Sequence, residues 1–262
     1  MSEDLSLPSS RLEALKLQLK EHFSRFILLS LLSFLFALPF FAYFFFFSFF
    51  LKPQSPFSLP YVLSYLALVP LFMILSLGQG GLFHCARRMA FLEGMELPEE
   101  FFLGVKRNAK EALFFGFFFS LNYVLLKFAL LFLSTLSLSS IWVAALSGVL
   151  YAFFFLLEGP LLFLLAEVSV YSNPLYNHYL NGVRFYLGGF LLNLPLCLVY
   201  LFPLFLFEAF PYLPCFLGCV AFEAVFYFSF SSYCLTLRAF SLFDRSINKD
   251  DFPEIYRKGL RK

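Results

Sequence analysis

At 262 residues, with 61% hydrophobic and only 14% charged residues, this chain carries too few charges to cover a water-facing surface; a soluble domain has about 25%. A formal net charge of +2 leaves no broad basic field of the kind that nucleic-acid binding requires. Phenylalanine alone fills 43 positions, which suits a lipid-facing exterior.

Residues 1–25 are polar and mixed in charge. Ser10 and Glu13 form a capping box. Leu12, Leu15, Leu19, Phe23 and Phe26 then recur at helical steps between Arg11, Lys16 and Lys20. This pattern predicts an amphipathic helix lying on the inner leaflet.

Six apolar stretches follow, at about 26–51, 61–87, 111–134, 140–168, 184–210 and 214–240. Each is near the roughly 20 residues that cross a bilayer. The expectation is an all-α bundle of six spans over residues 26–240, with a tail at 241–262. Pro70, Pro160, Pro195 and Pro203 fall inside spans, and each is expected to break its helix.

Seventeen of the nineteen lysines and arginines fall in the N-terminal segment, the second and fourth connections and the tail. Lys52 lies on the opposite side and Lys127 inside the third span. The positive-inside rule then puts both termini in the cytoplasm. An even number of spans agrees.

The second connection is itself ordered. Pro98 suits a first helical turn. Glu99 and Glu100 precede Lys106, Arg107 and Lys110, matching the helix dipole. Phe101, Phe102 and Val105 give it an apolar face. This short helix is either an anchor between two spans or, with Arg87, Arg88, Phe101, Phe102, Lys106 and Arg107, a docking surface for a partner or for anionic lipid. A weak internal repeat joins Gly81-Leu82-Phe83 and Gly104-Val105-Lys106-Arg107 to Pro160-Leu161 and Gly182-Val183-Arg184. Each unit runs inward, turns and goes back out.

Ionisable and amide groups at bilayer depth are costly and mark candidate sites. Glu158, Asn122 and Asn193 fall in one layer near the middle of spans four, three and five. In the outer half, Lys127 could pair with Glu223 or Glu208. Both groups could equally be polar glue between helices. The three histidines and five cysteines show no metal spacing, and no catalytic motif is present. The chain is therefore read as non-enzymatic, without a cofactor.

The pattern G-L-F-x-x-x-R-R at 81–88, followed by E-E-F-F-L-G-V-K-R-N at 99–108, resembles the YesL-type bacterial membrane proteins (domain of unknown function 624). So do G-P-L-L-F-L-L-A-E-V-S-V at 159–170 and N-G-V-R-F-Y-L-G-G-F-L-L-N-L-P at 181–195. The tail F-D-R-S-I-N-K-D-D-F-P-E-I-Y-R-K-G-L is also similar. The resemblance implies a multi-pass protein of the bacterial cytoplasmic membrane with no established activity, some members being encoded beside carbohydrate-uptake systems. By that analogy the expected role is an accessory or scaffold component of a membrane system such as sugar uptake. The alternative is a small carrier or channel with its polar site around Glu158.

Overall fold

The computed structural model describes residues 7–50, 58–209 and 212–261, with backbone alone at 207–209. Among the described residues every regular element is helical. Five helical runs are long and apolar enough to cross a membrane, and six if one bent pair counts as a single span. The protein is a multi-pass helical membrane protein.

The N-terminal helix α1 (Arg11–Glu21) starts at Ser10, whose hydroxyl accepts from the Glu13 amide at 3.2 Å. Glu13 completes the cap one residue early, accepting from the Ser9 amide and hydroxyl, both at 2.7 Å. Ala14 and Gln18, four residues apart, are the buried positions of α1, so the helix packs on the bundle as well as exposing Leu12.

The first span is α2 (Phe23–Phe49), which runs through Pro39. The second is α3 (Leu59–Leu66) and α4 (Leu68–Ala90), separated at Ala67. Pro70 sits in the first turn of α4, where a backbone N–H has no helical partner to lose. The interruption therefore falls before the proline. A surface helix, α5 (Leu97–Arg107), leads through Asn108 into the third span, α6 (Ala109–Thr135).

The fourth span, α7 (Ser140–Val168), continues through Pro160, so Glu158-Gly159-Pro160 does not break the chain. Neighbouring helices in a membrane can satisfy the backbone groups that a proline releases. The fifth span differs more from expectation. Residues 184–188 belong to a separate helix, α8 (Leu175–Gly188), which meets α9 (Phe190–Ala209) at a 110° bend. The adjacent Gly188 and Gly189 explain the position of the bend, since glycine is the weakest helix former after proline.

The last span joins α10 (Leu213–Phe222) to α11 (Phe228–Phe243) through a π-helical turn, Glu223–Tyr227. A second π-turn, Asp244–Asn248, carries the helix past the expected end at 240. The tail then folds back, and the Arg261 amide donates to the Pro8 carbonyl at 2.9 Å.

The two halves of the sequence repeat have similar geometry. In each, a short helix folds back on the end of a long one: α5 on α4, and α8 on α7. A methyl group built on Gly104 would lie 2.5 Å from His84 Cβ, and one on Gly182 would lie 2.4 Å from the Pro160 carbonyl oxygen. Only glycine permits either approach.

Candidate functional site

The charged segments meet at one end of the bundle. Arg11 pairs with Asp244 at 2.8 Å and donates to the Lys258 carbonyl at 3.0 Å. Lys258 pairs with Glu93 at 2.6 Å. Arg88 binds Glu100 and donates to the Gly94 carbonyl at 2.6 Å. The His84 Nε2 lies 3.2 Å from Glu100. Partial burial works against charge on Glu100, yet the Arg88 guanidinium and the His84 ring hold its carboxyl below the usual range.

These contacts divide the six residues of the expected docking surface. Arg87 and Arg88 are drawn into the bundle's own network with Glu93. Phe101 is fully buried against Phe36 and Gly81. Phe102, Lys106 and Arg107 remain exposed, and Leu103 beside them is 53% exposed. The outward face of α5 is thus apolar and cationic.

The three mid-span residues do not form one cluster. Asn122 donates to Glu158 Oε1 at 2.7 Å, tying α6 to α7. Glu158 is 0% exposed, and its Oε2 has no hydrogen-bond partner. Asn193 instead serves the α8–α9 bend. Its amide donates to the Phe185 and Tyr186 carbonyls at 2.9 and 3.0 Å, and its oxygen accepts from Arg238 Nε at 2.8 Å. Asn193 thus satisfies carbonyls that the end of α8 leaves open.

Of the outer group, only the contacts of Lys127 and Glu223 are described. The Lys127 ammonium lies 5.5 Å from the Tyr123 ring centroid. Among the described residues no ion pair joins it to Glu223. The Glu208 side chain lies outside the described residues.

Glu223 faces a partly open cavity of about 80 Å³ bordered by α2, α4, α6, α9 and the last span. Its polar side is built by Gln79, Tyr200, Glu223, Tyr227 and Ser231. The remaining wall is largely aromatic, and within it the Phe72 ring contacts those of Phe40 and Phe119. Gln79 Oε1 accepts from the Tyr200 hydroxyl at 2.5 Å and from Ser232 Oγ at 3.3 Å. Tyr227 donates to the Val199 carbonyl, and Ser231 donates to the Tyr227 carbonyl at 2.8 Å. Glu223 is 6% exposed, and its carboxylate makes no hydrogen bond or ion pair among the described residues.

The sequence reading singled out Glu223, as one of two possible partners of Lys127, and did not foresee a cavity. It missed Gln79 and Tyr200. Gln79 is the one amide in its span, set between Gly78 and Gly80, and that isolation was a usable signal. Tyr200 lies among Leu, Val and Phe and offers none. The π-turn that carries Glu223 has no sequence mark, although such turns are frequent at functional sites.

No protein-family model matches this chain, and neither a curated protein nor a solved structure shows significant similarity to it.

Proposed function

We propose that this protein is a small non-enzymatic membrane carrier whose site is the Glu223 cavity within the spans. The observation that carries this reading is a buried, unpaired carboxylate on a π-turn, facing space between five spans. An ionisable group within a span is a functional candidate by default, and many carriers bind their cargo at irregular helices inside the membrane. Glu158 supports the reading less well, because it is fully buried, bonded to Asn122 and lines neither this cavity nor the one beside Asn122. Both termini are taken to lie in the cytoplasm of a bacterial plasma membrane, by the positive-inside rule.

A second reading is the accessory or scaffold role implied by the YesL-type resemblance, with a sugar-uptake system as partner. The outward Phe102, Leu103, Lys106 and Arg107 on α5 favour it. The deciding experiment screens sugars, amines, alcohols and monovalent cations for thermal stabilisation of the purified chain in lipid nanodiscs. The carrier reading expects saturable stabilisation by at least one compound that is lost in Glu223→Gln. No such compound, together with stoichiometric recovery of a membrane complex after in-membrane crosslinking, would overturn it.

A further inference from the structure

We infer that the Glu223 cavity takes a small organic ammonium ion of the size of trimethylammonium. The inference rests on the reading of this cavity as a ligand site and adds the chemistry of its occupant.

Charge comes first. Among the described residues Glu223 is the one acidic residue lining the cavity, and no lysine, arginine or histidine lines it with Glu223. A carboxylate buried without a counter-charge is costly. Without a ligand such a group takes up a proton; a bound cation can replace that proton, whereas an anion adds to the cost. A neutral apolar occupant leaves the carboxylate as it is.

The wall narrows the class of cation. A metal ion of the hard type asks for a shell of several oxygen ligands. Here the Glu223 carboxylate is the one anionic oxygen group among the described lining residues, and the Tyr200, Tyr227 and Ser231 hydroxyls are fixed in direction by their bonds to Gln79, Val199 and Tyr227. Most of the remaining wall is aromatic. Aromatic enclosure with one carboxylate suits an ammonium that carries methyl groups, which gains from ring quadrupoles and from burial of its carbon atoms. A sugar ring with its hydroxyls is larger than a space of about 80 Å³ holds, given about 150 Å³ for benzene.

Size agrees. An apolar cavity of about 150 Å³ holds benzene, so the roughly 80 Å³ available here accommodates a ligand of about three to five heavy atoms.

The test uses the full chain in nanodiscs at constant ionic strength. Trimethylammonium chloride is the probe, sodium chloride the control and tert-butanol the neutral molecule of similar shape. Binding is read by calorimetry and by thermal unfolding. The expected result is saturable binding of trimethylammonium by the native chain, absent with sodium. Glu223→Gln should weaken it by tenfold or more, and Phe72→Leu severalfold, with Glu223→Asp retaining part of it. If tert-butanol binds and trimethylammonium does not, the ammonium inference falls and the cavity survives as a ligand site. If neither binds, this inference fails and the carrier reading loses its main support. Stabilisation by sodium alone, or trimethylammonium binding that persists unchanged in Glu223→Gln, overturns the inference. The comparison of probes on the native chain holds even if a Glu223 variant does not fold.

Discussion

The Asn122 amide lies 2.7 Å from Glu158 Oε1 and ties two neighbouring spans at mid-depth. The pair behaves as a structural clasp, because Glu158 is fully buried. Asn122→Leu should cost roughly 1–3 kcal/mol, since it strands a buried acceptor. Glu158→Gln keeps an acceptor at the same place and should cost less than about 1 kcal/mol. Thermal unfolding of the two variants in detergent checks this. Equal losses would mean that the bond is not what holds the pair.

The spans and the gathering of charge at one end were readable because bilayer thickness and the Lys/Arg distribution constrain both. The site was less readable, for a physical reason. In a water-soluble helix the apolar stripe tells which side faces the core. In lipid both sides are apolar, so the pattern around Glu223 or Glu158 carries little rotational information. Their depth could be counted, whereas the direction each side chain takes could not. Arg87 and Arg88 misled differently, because their partners Glu93 and Glu100 lie in the following turn and in α5. The α8–α9 bend was missed because apolar residues run across Gly188-Gly189.

Acid should loosen the clasp between α4 and α5. The Glu100 carboxyl is held below its usual range by Arg88 and His84, against partial burial. A depressed value in the folded state means full stabilisation above the unfolded value of about 4.3, lost as pH falls through the folded one. The native unfolding temperature should therefore drop more steeply below about pH 4 than that of Glu100→Gln. Parallel pH curves for the two proteins would contradict this.

Asn193 closes the α8–α9 bend. It holds two carbonyls of α8 and accepts from Arg238. Asn193→Leu removes all three contacts and leaves a half-buried guanidinium without this acceptor. A loss of about 2–4 kcal/mol is expected, given 1–3 kcal/mol for a buried unsatisfied group and more when charge is involved. Proteolysis around residues 186–192 should also accelerate. An unchanged cleavage rate would show that the bend is held by packing alone.

Three glycine-to-alanine changes, chemically identical, should separate by environment. At Gly182 the new methyl meets the Pro160 carbonyl at 2.4 Å, and at Gly104 it meets His84 Cβ at 2.5 Å. Backbone and Cβ atoms cannot rotate away, so both helices would have to shift. Overpacking of this kind costs about 1–3 kcal/mol. At Gly148, on the exposed outer half of α7, nothing lies within 4 Å. There the change should be neutral or stabilise by up to about 1 kcal/mol, the helix-propensity difference. Thermal unfolding of the three variants gives the order directly. If Gly148→Ala were the most damaging, the outer half of α7 would have to pack against a surface that this single chain does not supply. If Gly104→Ala and Gly182→Ala were both silent, α5 and α8 would not be seated on their long helices as closely as the geometry requires.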